Sequence, residues 1–279
     1  MRSRSTLPSG GARLRVRTAD GVQLSGFTAP ARPEAGAAGP TFVLAHGFAG
    51  SVDAEPFRRL VGWLRAFGDV RAVDFRGHGR SAGASTVGGD PEVLDLDAAV
   101  RAAREAGAGR VVTVGFSMGG GVALRQAALG AHRPDAVVSV SAVSRWYVRD
   151  TPPMRRVHWL LETTPGRRLV APLLGLRLGA PWAELPLAPA RVAAAIAPVP
   201  LLLVHGDRDE YFPLEHFRSL AQAAGPAATV WVEPGMGHAE NGVTAPLAGR
   251  IGRWAVAAGA DTSDRGVPTV TAHSATIDR

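Results

Sequence analysis

A chain of 279 residues, 46% of them hydrophobic, can bury a large core within one domain, and its lack of cysteine excludes disulfides, thiolate metal sites and a cysteine nucleophile. The formal charge of +7 comes from arginine alone, for there is no lysine, and these arginines are spread along the chain instead of forming the stripe a nucleic-acid footprint needs. The first eleven residues carry charge without an apolar signal core, and no run of 18 apolar residues occurs, so the expectation is a cytoplasmic protein with no transmembrane segment and no nucleic-acid partner.

Residues 12–17 and 22–29, joined by Ala19-Asp20-Gly21, read as an amino-terminal hairpin. A Pro/Ala/Gly loop over 30–40 leads into a short apolar strand at 41–45, which ends at His46-Gly47-Phe48. Helical spacing of Phe57, Leu60, Val61 and Leu64 marks 56–67, and 70–75 is the next strand. Asp90, with Pro91 behind it, reads as the cap of a helix running to about 106. Residues 110–114 are a β-branched strand followed by a small-residue helix from 119 to 129. Further strands are predicted at 136–140, 200–204 and 229–232, with helices from about 214 and from 243 to about 258. Strands alternating with helices imply a mainly parallel sheet covered on both faces, which binds ligands beyond the carboxyl ends of its strands.

Residues 144–198 break the alternation. They contain no clear strand but hold Trp146, Tyr147, Trp159 and Trp182, many leucines and scattered prolines. We read them as a helical cap inserted into a core formed by 1–143 and 199–260, with Trp146, Trp159 and Trp182 as candidate substrate-binding residues. Residues 261–279 are polar and aperiodic, which predicts a disordered tail.

The chemistry gathers just after strand ends. Gly115-Phe116-Ser117-Met118-Gly119 sits where a strand reverses into a helix, the setting in which G-x-S-x-G forms a nucleophile elbow. The same pattern at Gly79-Arg80-Ser81-Ala82-Gly83 lies past its strand and before a loop, so Ser81 fails the strand-turn-helix requirement. A serine hydroxyl needs a base oriented by a carboxylate, and this architecture places them in the order Ser, Asp, His. His205-Gly206-Asp207-Arg208-Asp209 and Gly235-Met236-Gly237-His238 follow the strands at 200–204 and 229–232 in that order. We assign Ser117 as nucleophile, His238 as base and Asp209 as its partner, with Asp207 the alternative carboxylate. The amides of Phe48 and Met118 are the candidate oxyanion donors. His46, His78 and His205 read as loop-fixing residues.

These motifs, with Asp74-Phe75-Arg76-Gly77-His78-Gly79-Arg80-Ser81, resemble the successive signatures of the α/β-hydrolase superfamily, and in pattern the small capped serine esterases and lipases of the monoacylglycerol-lipase or serine-aminopeptidase type. The resemblance implies a mainly parallel eight-stranded sheet flanked by helices, no cofactor and no metal. It also implies a small-molecule ester or thioester substrate with an apolar acyl group, cleaved through an acyl-enzyme. The cap matches no motif. A cofactor-free haloperoxidase or perhydrolase and an iminopeptidase-like peptidase use the same triad, and a ligand-binding module on this fold is the non-enzymatic alternative.

Overall fold

In the computed structural model, residues 7–36 and 39–258 are described; the predicted tail at 261–279 lies outside them. The central strands are mostly apolar residues that avoid water. All of β3 (Thr41–Ala45), β5 (Val111–Phe116), β6 (Ala136–Val140) and β7 (Leu201–Gly206) is buried, which explains why they are mostly apolar, each with one polar residue, instead of alternating. β1 (Ala12–Arg17), β2 (Gln23–Ala29), β4 (Asp69–Val73) and β8 (Thr229–Glu233) complete an eight-stranded sheet in the order β1-β2-β4-β3-β5-β6-β7-β8. β2 pairs antiparallel with β1 and with β4, and every pairing from β4 to β8 is parallel.

Alternate residues of each strand face opposite sides, so the sheet supports two cores. Phe42 and Leu44 pack with Phe57, Leu60 and Ile251 under α1 (Glu55–Leu64) and α9 (Ala245–Ala258). Val43 and Ala45 pack with Leu96, Leu124 and Phe217 under α2 (Asp90–Glu105), α3 (Met118–Leu129) and α7 (Leu214–Ala224). Between β6 and β7 the chain leaves the sheet as α4 (Pro152–Glu162), α5 (Thr164–Leu174) and the short α6 (Pro189–Val192). Thr151 and Thr163 start α4 and α5 by accepting the amides of Met154 and Gly166, and Gly175, in the left-handed region at φ 65°, ends α5.

Several boundaries differ from the sequence expectation; α1, for one, ends at Leu64 and not at 67. β4 stops at Val73 because Asp74 turns inward: its carboxylate accepts the amides of Val52 at 2.8 Å and Arg80 at 3.1 Å, organising two loops at once. Asp90 is the first residue of α2 and does not cap it; its carboxylate pairs with Arg125, a fully buried cation on α3 that also donates to Gly88 O at 2.9 Å. The last helix, expected from 243, is α9 and begins at Ala245, and a short α8 (Ala239–Gly242) that the sequence expectation did not include precedes it.

His46 and His78 hold loops, as their glycine-rich surroundings implied. His46 Nδ1 donates to Gly47 O at 2.8 Å while Nε2 accepts the Phe75 amide at 3.1 Å, which fixes a neutral ring. Burial pushes the His46 pKa down to about 4. The unfolded imidazole therefore takes up its proton near pH 6.5, well before the folded one, and stability contributed by the neutral buried ring is lost as pH falls through that window. Urea unfolding followed from pH 7 to pH 4 should show wild type losing up to about 3 kcal/mol more than His46→Gln across this interval. Equal losses in the two proteins would remove His46 as the source.

Candidate active site

The serine turn exists because two positions lack a side chain. A Cβ on Gly115 would lie 2.2 Å from Gly119 O, and one on Gly119 would lie 2.3 Å from Ala45 O. With both absent, β5 reverses directly into α3 and the first turn of that helix presses on the end of β3. Ser117 takes the strain, at φ 51° and ψ −116°, a region that costs a non-glycine residue about 1–3 kcal/mol. Its hydroxyl is thereby lifted off the sheet, although the residue as a whole is 9% exposed.

His238 stands on the loop after β8 and accepts from Ser117 Oγ at 2.9 Å through Nε2. On its other side, Nδ1 faces Asp209 Oδ1 at 2.9 Å and Oδ2 at 2.8 Å, on the loop after β7. Asp209 Oδ1 also accepts the amides of Tyr211 at 2.9 Å and Phe212 at 3.0 Å. Burial raises the Asp209 pKa, but the hydrogen bond and charge of His238, with the Phe212 amide, outweigh it and hold the carboxyl below its usual range. Asp207 points elsewhere, accepting the Gly235 amide at 2.6 Å as a turn residue. Of the two candidate carboxylates, the geometry brings Asp209 to the histidine.

Further contacts hold the histidine loop in place. Ala239 N donates to Ser141 Oγ at 3.1 Å at the end of β6, and Arg208 N donates to Met236 O at 3.1 Å. Tyr211 lies over the His238 ring with centroids 4.4 Å apart. Ser81, the second match to the serine pattern, is buried and structural: its hydroxyl donates to Asp74 O at 2.5 Å and accepts the Ser25 amide at 2.9 Å.

Ser117 and His238 open into a cavity of about 490 Å³. Phe48 and Met118 line its floor beside the serine, and Met118 begins α3, where a helix offers its amide no acceptor of its own. The roof comes from the segment between β6 and β7. Trp146 and Trp182 line it together, ring centroids 5.0 Å apart, with Trp146 Nε1 donating to Pro186 O at 2.6 Å. Trp159 is not among the lining residues. On α4 the cavity face is Met154, Val157, His158, Leu160, Leu161 and Glu162, and Trp159 falls on the opposite side of the helix, 48% exposed. The expectation that all three tryptophans meet the substrate therefore fails for Trp159. Sequence reasoning missed Glu240, two residues beyond His238, whose Oε1 accepts the Gly47 amide at 3.4 Å on the cavity wall. Only the closure of the histidine loop onto the Gly47 loop brings it there.

Sheet order, the strand-to-helix serine and the chain order of the three polar side chains define an α/β hydrolase. The family model described as serine aminopeptidase, S33, matches residues 37–178, half of the chain, and the chain belongs to that family. The esterase Pf2001 of Pyrococcus furiosus is similar at 26% identity over 88% of this chain and 89% of its own, with a TM-score of 0.68. GrgF, an α/β hydrolase from a Penicillium species, matches at 20% identity over 83% of this chain and 91% of its own, TM-score 0.62. XC6422 of Xanthomonas campestris, described as a serine hydrolase without lid, matches at 20% identity over 94% and 99%, TM-score 0.59. The last two share the fold. No helix among the described residues is long and apolar enough to cross a membrane.

Because the Gly119 position admits no Cβ, Gly119→Ala should lower unfolding stability by about 1–3 kcal/mol and disturb Ser117 with it. Denaturant melts of the variant and wild type measure this; coincident curves would show that the helix moves away from Ala45 O without cost.

Proposed function

We propose that this hydrolase is a serine esterase, cleaving carboxylic esters or thioesters with an apolar acyl group through an acyl-enzyme. The observation that carries the proposal is the relay of 2.9 Å from Ser117 to His238 and 2.8 Å from His238 to Asp209 at the base of a mainly apolar cavity. Similarity to the Pyrococcus esterase supports the same reading.

Ser117 Oγ attacks the carbonyl carbon as His238 Nε2 takes its proton, and the charge gathered on the carbonyl oxygen is met by the amides of Phe48 and Met118. Collapse of the tetrahedral species expels the alcohol, which leaves with the proton from His238. Water then gives a proton to His238 and attacks the acyl carbon, and that proton returns to Ser117 as the acid departs. Asp209, held ionised, keeps the Nδ1–H tautomer in place and balances the imidazolium. Residues 144–198 act as the cap, with Trp146 and Trp182 against the acyl chain and Trp159 outside.

One observation favours a second reading. Glu240 on the cavity wall has no cationic partner among the described residues, and a substrate ammonium would supply one, as an aminopeptidase requires. Amino-acid nitroanilides discriminate: the esterase reading expects turnover of nitrophenyl esters and little of these.

Ser117→Ala should lower ester turnover by at least about 10³-fold, and Asp209→Asn by about 10³–10⁴-fold, while Asp207→Asn stays within a few-fold of wild type. Steady-state rates on a short nitrophenyl ester decide the matter; a Ser117→Ala protein with turnover within tenfold of wild type would sink the assignment. Along a series of nitrophenyl esters, kcat/KM should rise roughly fourfold per methylene, corresponding to about 0.8 kcal/mol each, until the cavity is filled.

A further inference from the structure

The outer face of the α4–α5 helix pair has no role in the chemistry and an unusual composition. Residues 144–198 hold eight arginines against Asp150, Glu162 and Glu184, so a net +5 of the chain's +7 lies in this one segment. Seven of the twelve large hydrophobic side chains exposed among the described residues lie there as well.

Helix periodicity separates these groups into two sides. Met154, Val157, His158 and Leu161 of α4, with Arg167 and Leu174 of α5, line the cavity, so the opposite sides of both helices face away from it. On that away-facing side stand Arg155, Arg156 and Trp159 of α4 and Arg168, Leu169 and Leu173 of α5, all exposed, with Leu173 at 66%. Arg145 is paired with Asp150 and Arg149 with Glu162, but Arg155, Arg156 and Arg168 have no carboxylate partner among the described residues. α4 buries none of its residues, so nothing among the described residues covers this side.

We propose that this face docks on an anionic lipid surface, with the arginines at the headgroups and Trp159, Leu169 and Leu173 entering the boundary of the acyl chains. Interleaved arginine, tryptophan and leucine on one side of a helix pair match an interface that is charged outside and apolar just beneath. A second copy of the chain fits poorly, because two faces with unpaired arginines would meet like charge to like charge. A nucleic acid would pair with the arginines but leave the leucines without a partner. Since the cavity lies under the same helices, docking would set its roof against the phase in which apolar esters dissolve.

Co-sedimentation of the full chain with phosphatidylglycerol vesicles and with phosphatidylcholine vesicles tests the proposal. Binding should be strong to the first at low salt, weak to the second, and reduced by high salt. Each arginine near such a surface contributes about 1 kcal/mol, so Arg155→Gln, Arg156→Gln and Arg168→Gln combined should weaken partitioning roughly a hundredfold. Leu169→Ser with Leu173→Ser should weaken it at low and high salt alike. Both variants should keep wild-type turnover of a short soluble ester or, if that substrate fails, wild-type thermal unfolding, which shows that they are folded. No binding of wild type to phosphatidylglycerol, unchanged binding by the arginine variant, or a wild-type dimer that the leucine variant dissolves would each overturn the proposal.

Discussion

The approach of the first turn of α3 to the end of β3 is the constraint on which the rest of the site depends. A hydrogen in place of a side chain at Gly119 lets that turn reach Ala45 O, and another at Gly115 lets β5 turn without meeting it. Ser117 then has one conformation open to it, and its positive φ is strain that the surrounding packing must offset. That packing is ample, since every residue of β5 and the first ten residues of α3 are buried. The same approach sets Phe48, on the loop leaving β3, beside Met118 at the start of the helix. Ser117 and the two proposed oxyanion donors thus share one geometric cause.

Around that turn the protein uses histidine and aspartate in opposite ways, and neighbours decide which. His46 and His78 are buried against backbone groups and pushed far down, to about 4 and about 3, so they act as neutral struts. Asp74 accepts two amides and ties two loops together. Asp209 is buried to a similar degree, with a side chain 1% exposed, but it faces the Nδ1 of His238 at 2.8 Å. Burial alone would raise its pKa, and the His238 partner reverses the direction. The chemistry is separated from the scaffolding by which groups face one another, since the residue types are the same.

Much of this was legible in the sequence because it is local. The elbow needs five consecutive residues, and the strands around it are short β-branched runs that nothing else explains. Asp209 could be preferred to Asp207 because two residues of turn carry the chain away from β7 before the loop begins. What could not be read depends on contacts between distant segments. Asp90 looked like a helix cap until Arg125, thirty-five residues away, claimed its carboxylate. Glu240 acquires a place on the cavity wall only when its loop closes on Gly47. Trp159 and Trp182 are equivalent as letters, and only the phase of α4 turns the first of them away from the cavity.

The segment between β6 and β7 has two faces with different physics, one mostly apolar with a few polar groups and turned to the cavity, the other basic and turned outward. In the proposed esterase the first face would bear on which acyl groups enter, while the second has no part in bond cleavage. The proposed chemistry requires Ser117 to be the activated nucleophile, and labelling with a fluorophosphonate, with the modified peptide mapped by mass spectrometry, tests this. One label on Ser117, formed far more slowly in Asp209→Asn than in Asp207→Asn, is the predicted result. A label on any other serine, or a rate indifferent to Asp209, would contradict it.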